Sequence, residues 1–155
     1  MKKTLNLPRI AVKESKLDWK SFKTEVAWIS IGEPEKSFQH IQNETLDKCA
    51  KLKICFHDLK EVHEDDKANG LFPPTRKIAH KIVRFILDNK DKNIIVNCAA
   101  GVSRSGAVCK FLEDVLEYKW IEFGKKLALP NMLLYDLLVE AYNEKAKRFS
   151  QKESL

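Results

Sequence analysis

The residues best equipped for chemistry lie in one short stretch, Asn97-Cys98-Ala99-Ala100-Gly101-Val102-Ser103-Arg104-Ser105-Gly106. A thiol precedes a guanidinium by six positions, and the residues between them are small. Small residues let successive backbone N–H groups turn toward one point and cradle an anion. A helix starting near Arg104 adds its positive end to that point. Arg104 itself offers a planar fork to two oxygens of a phosphate. Cys98 stands in the same positive field, which favours the thiolate. A thiolate on the floor of a phosphate cradle is an activated nucleophile. The spacing alone is weak evidence in a chain with four cysteines and five arginines. A strand before it, a glycine within it, a serine after it and a helix following make it specific. The plainer alternative is a buried, small, apolar Cys98 beside a helix-surface Arg104.

The flanking sequence supplies elements that can position this loop. Ile94-Ile95-Val96 is a wholly apolar run, as expected of a strand covered on both faces. Val26 to Ile31, closed by Gly32 and Pro34, reads as another buried strand, and the alternation over 52–57 as a third. Residues 36–51 are read as a short helix with Phe38, Ile41 and Cys49 inward, and residues 1–24 as polar and mixed, with no assigned element. Pro73-Pro74-Thr75 announces a helix carrying the stripe Ile78, Ile82, Val83, Phe85 and Ile86, and Asp88 to Asn93 is a turn. Val108, Phe111, Leu112, Val115 and Leu116 mark a helix from about Arg104 to Tyr118, and Pro130 opens a last one. Strands alternating with helices predict an α/β fold, a central, largely parallel sheet flanked by helices. The expectation is one domain over 1–155, with its core at about 26–142 and a charged, fraying tail from about Glu144. In such folds ligands bind beyond the carboxyl ends of the strands, which is where Cys98 falls.

Bulk properties narrow the partners. With 155 residues, 44% hydrophobic and 32% charged, the chain is globular in composition. No apolar run approaches the ~20 residues of a membrane-spanning helix, and the start Met1-Lys2-Lys3 lacks the apolar core of a signal peptide. The net charge of +6 suggests an anionic partner. Arg9, Arg76, Arg84, Arg104 and Arg148 are scattered, unlike the clustered arginines of base-reading elements, so nucleic acid is not expected. Cys49, Cys55, Cys98 and Cys109 have no CxxC spacing, and the histidines add no metal pattern, so zinc is not expected. A cytoplasmic, reducing location with free thiols follows from this reading.

The stretch at 97–106 resembles the signature loop of the cysteine-dependent protein tyrosine phosphatases, and in particular the small dual-specificity branch with its His-Cys-x-x-Gly-x-Ser-Arg-Ser pattern. Cys98, Gly101, Ser103, Arg104 and Ser105 match it, and Asn97 replaces the His. The resemblance implies a hydrolase of phosphorylated proteins or other phosphomonoesters that needs no metal or other cofactor. Cys98 would attack phosphorus. The backbone of Ala99, Ala100, Gly101, Val102, Ser103 and Arg104 would bind the phosphoryl oxygens together with the Arg104 side chain. Ser105 would hydrogen-bond the sulfur. Pro130-Asn131 resembles a downstream pair whose Asn braces the loop. The family also supplies an Asp as general acid from a loop after an earlier strand. Asp58 matches best because it follows Ile54-Cys55-Phe56, with Asp65 and Asp66 as alternatives.

The Asn97 replacement brings no cationic form and predicts slower chemistry. It leaves two other readings open: a phosphate-binding domain with little turnover, and a sulfurtransferase of the rhodanese type. Cys55 is expected on a strand beside that of Cys98, either as a buried structural thiol or as a trap for oxidised Cys98.

Overall fold

The run Ile94-Ile95-Val96 lies at the centre of a five-stranded sheet in the computed structural model, which describes residues 1–13, 25–34, 46–122 and 128–153. The strands are β1 (Lys3–Pro8), β2 (Val26–Gly32), β3 (Ala50–Cys55), β4 (Asn93–Cys98) and β5 (Lys119–Glu122). Their order is β3-β2-β4-β1-β5, and every adjacent pair is parallel. All of β4 is buried, as a central strand with both faces covered must be. On one face Ala27, Ile29, Ile31, Ile94 and Val96 pack with residues of α2 (Arg76–Asp88), α3 (Arg104–Leu116) and α4 (Met132–Glu153). On the other, Leu5, Leu7, Trp28 and Ile95 pack with Ala11 and Val12 of the short helix α1 (Arg9–Lys13) and with Leu46. The predicted α/β class with a parallel sheet is the observed one.

Several boundaries differ from expectation. Lys3–Pro8 is a strand between β4 and β5, so the core begins well before residue 26. Its polar residues hid it. Thr4 and Asn6 are buried, and each is matched by a specific partner: Thr4 Oγ1 lies 3.4 Å from Cys109 Sγ, and the Asn6 amide reaches the Gly101 carbonyl. The predicted helix over 36–51 falls largely outside the described residues, Phe38 and Ile41 included. Its last part is a 3₁₀ turn, Leu46–Lys48, followed by β3 from Ala50. Helix α3 stops at Leu116 because Glu117 turns left-handed at φ 59°, and Tyr118 leads into the unpredicted β5. The chain from Glu144 is a continuation of α4, anchored where Glu144 pairs with Arg76 and with His80 at 3.0 Å. No helix among the described residues is long and apolar enough to cross a membrane.

A parallel sheet points all its carboxyl ends one way. One edge therefore gathers Arg9 after β1, Glu33 after β2, Asp58 after β3 and Cys98 at the end of β4.

Candidate active site

The chain leaves β4 at Cys98 and turns through 99–103 into α3. Gly101 makes the turn possible. Its φ is +69°, and a Cβ there would lie 2.4 Å from the Pro8 backbone nitrogen and 2.5 Å from the Leu7 carbonyl carbon. Only glycine tolerates both the left-handed conformation and this approach to β1. Just past that strand, the N–H of Arg9, the first residue of α1, donates to the Ala99 carbonyl at 3.2 Å and ties the loop down. A depression of about 370 Å³ opens above it, lined by Cys98, Ala99, Ala100, Val102, Ser103, Arg104, Asp58, Lys60 and Leu129.

Ser103 occupies the N-cap position of α3, yet its hydroxyl does not cap the helix. It donates instead to Asp58 Oδ1 at 2.8 Å. The first-turn N–H groups of α3 are thus free of side-chain capping at the place where a helix favours an anion. Cys98 Sγ lies 3.1 Å from Ser105 Oγ, and the thiol is almost wholly buried, at 2% exposure.

Arg104 is held tightly. Nη1 donates to the Phe56 carbonyl at 2.9 Å and lies 3.5 Å from that of Gly32, and Nη2 donates to Glu33 Oε1 at 2.8 Å. Nε–H and one Nη2–H have no protein acceptor among the described residues. The other Glu33 oxygen pairs with Arg9 Nη2 at 2.8 Å. Burial raises the Glu33 pKa, but hydrogen bonds and charge attraction from Arg104 and Arg9 outweigh this and hold it at about 2. Neither Glu33 nor Arg9 is singled out by sequence pattern. Their one signal is position just beyond strand ends.

Asp58 faces Cys98 across the depression. Its Oδ1 accepts from Ser103 and, at 2.7 Å, from Asn131 Nδ2, which also donates to the Leu59 carbonyl at 3.0 Å. Asn131 is fully buried and braces both sides of the site: its side chain holds 58–59, while its backbone N–H donates to the Ser103 carbonyl at 2.9 Å. Its Oδ1 also caps α4 by accepting from the Leu134 N–H at 3.0 Å. The polar segment beyond Asp58 is pinned at its base, where His57 and Phe72 exchange backbone and ring hydrogen bonds.

Other expected residues lie elsewhere. Asp66 is buried in a turn, its Oδ2 accepting from the His63 N–H at 2.6 Å, and it lines a different cavity beside β3. Asp65 is exposed on the same turn, so neither alternative acid borders the Cys98 depression. Asn97 points to the opposite face of the sheet from Cys98, as strand alternation requires. Its Oδ1 accepts from Trp28 Nε1 at 2.7 Å, and its buried Nδ2 has no partner among the described residues. Its side chain makes no hydrogen bond to the 99–104 loop. Cys55 is not on a neighbouring strand: β2 lies between β3 and β4, an offset of about 9–10 Å. That exceeds the ~7 Å Cα limit for a disulfide.

No protein-family model and no curated protein sequence matches the chain. Among solved structures it is similar to the human tyrosine phosphatase-like serine/threonine/tyrosine-interacting protein, at 17% identity and a TM-score of 0.56, over 92% of this chain and 93% of that one. It is also similar to PTPMT1, solved in complex with PI(5)P, at 16% identity and a TM-score of 0.50, over 92% and 94% of the two chains. At this identity the likeness shows a shared fold: the chain folds as these two structures do.

Proposed function

We propose that the protein hydrolyses phosphomonoesters of proteins, phosphotyrosine foremost, through a phosphocysteine on Cys98. The observation that carries this reading is the depression itself. It has a buried thiol on its floor, the uncapped start of α3 and its preceding loop as one wall, and a carboxylate opposite.

The phosphoryl group would bind to the loop amides of 99–104 and to the two unengaged donors of Arg104, which Glu33 and the Phe56 carbonyl hold in place. The Cys98 thiolate would then attack phosphorus, so that the P–S bond forms as the P–O bond to the leaving group breaks. Asp58 gives that oxygen its proton. With Oδ1 held by two donors, Oδ2 is the oxygen free to carry it. Water next attacks phosphorus and Asp58 takes back a proton. Sulfur leaves as thiolate with a hydrogen bond from Ser105, and phosphate is released. Catalysis of this kind needs positioning and electrostatics more than bond-making groups.

The test is hydrolysis of para-nitrophenyl phosphate by wild type beside Cys98→Ser, with phosphate or vanadate binding measured on both. Turnover by wild type alone, with anion binding in both, is the expected result. Activity surviving Cys98→Ser sinks the mechanism. Anion binding without turnover in wild type supports a phosphate-binding role instead.

A further inference from the structure

Asn6 joins the neighbours of the thiol into one hydrogen-bond chain. It lies on β1 and is 1% exposed. Its Nδ2 donates to the Gly101 carbonyl at 2.8 Å and lies 3.3 Å from both Glu122 carboxylate oxygens. These neighbours are acceptors, which settles which end of the amide is nitrogen. The other end, Oδ1, can only accept, so Ser105 donates its single hydroxyl proton to it. Ser105 Oγ is then an acceptor toward Cys98 Sγ, 3.1 Å away, which suits a thiol donating its S–H. Once Cys98 ionises, the geometry reverses its demand: sulfur and the Asn6 carbonyl become two acceptors for one proton.

We propose that Asn6 is a positioning residue for the nucleophile, its carbonyl competing with the Cys98 thiolate for the Ser105 hydroxyl and so setting how readily that thiolate forms. The amide of the same side chain fixes the Gly101 turn, which keeps Ser105 and the loop in one register. An apolar residue at this place on β1 would leave the Gly101 carbonyl without the Asn6 donor and would leave the Ser105 hydroxyl free to donate its hydrogen bond to sulfur. The inference rests on Cys98 being the nucleophile, but its readout is thiol reactivity and does not require turnover.

Other charged and titratable groups surround Cys98. Arg104 and Cys109 stand on α3, Asp58 and Lys60 follow β3, Glu33 follows β2, Arg9 follows β1, and Glu122 sits on β5 behind Asn6. An effect passing through any of these does not need the Ser105 hydroxyl, and that separates them from the proposal.

The experiment measures iodoacetamide alkylation of Cys98 against pH, read by mass spectrometry on the Cys98 peptide. It compares wild type, Asn6→Ala, Ser105→Ala and the double variant. Removing the competing carbonyl should move the alkylation midpoint of Asn6→Ala down by about 1 pH unit, the worth of one hydrogen bond to a charged group. In the Ser105→Ala background the same substitution should move it by much less, since only the loss of the Gly101 tie remains. An equal shift in both backgrounds, or an unchanged or raised midpoint in the single variant, overturns the proposal. If Asn6→Ala does not fold, Asn6→Val keeps strand preference and removes the same polar groups. A protein showing these shifts without hydrolysing para-nitrophenyl phosphate would retain this inference and lose the phosphatase reading.

Discussion

Glu33 pairs with both Arg104 and Arg9, so it is the residue through which the proposed anion site can be perturbed without touching the anion. Glu33→Gln keeps the shape and one acceptor, but it removes the charge and turns an amide NH₂ toward one of two guanidinium groups. The Arg104 side chain is 7% exposed, so its charge would lose its partner in a mostly dry place, whereas Arg9, at 25%, is better solvated. Loss of a hydrogen bond to a charged group costs about 1.5–3 kcal/mol, and Arg104 carries most of it. Linkage provides an independent figure. A carboxyl held at about 2 rather than 4.5 corresponds to at most ~3.4 kcal/mol. Solvent screening of the open side of Glu33 reduces that to about 1–2 kcal/mol. Both routes place the loss near 2 kcal/mol, a shift of about 1 M in the urea midpoint at pH 7.

The sign with pH is fixed by the direction of the shift. The folded-state value lies below the unfolded one, so the Glu33 contribution is complete above about pH 4.5 and is lost as pH falls from there through about 2. Urea melts of the two proteins should therefore differ by a constant amount from pH 8 to pH 5 and converge below. The inhibition constant for inorganic phosphate should rise about tenfold in the variant, which is ~1.4 kcal/mol of misplaced Arg104. A stability gap that persists undiminished to pH 3, or no gap at pH 7, would refute the argument that Glu33 stabilises as an ion paired with these arginines.

Two further outcomes are expected. Asp58→Asn should slow hydrolysis of esters with poor leaving groups by about 10²–10⁴ while sparing activated ones, since only the former need the proton. An equal loss for both would remove Asp58 as the acid. Gly101→Ala should destabilise the fold by more than the ~1 kcal/mol of left-handed strain alone, because its Cβ would collide with the backbone of Leu7 and Pro8. Thermal melting checks this, and a Tm within a degree of wild type would show that the loop yields.

The fold class and the strand–loop–helix segment around Cys98 were legible because both are local signals. The run Ile94–Val96 needs both faces covered, and a cysteine, a glycine and an arginine at fixed offsets within one turn dictate the loop without reference to distant residues. Asp58 was legible for a related reason: a parallel sheet sends the residue after each strand to the same edge. Asn131 was found by resemblance, but its dual hold on Ser103 and on the Asp58 segment was not. Strand β1 was missed because Thr4 and Asn6 break the apolar pattern, and burying them is tolerable only with Cys109, Gly101 and Ser105 already in place. Asn97 and Cys55 show the same dependence. Whether a side chain faces the loop or the far side of the sheet, and which strand lies beside which, depends on register and strand order, which no local pattern carries. Sequence alone determined that a thiol and a guanidinium share one short turn at a strand end. Tertiary structure alone decided what holds them there, because Asn6, Glu33 and Arg9 meet that loop only once the strands lie side by side.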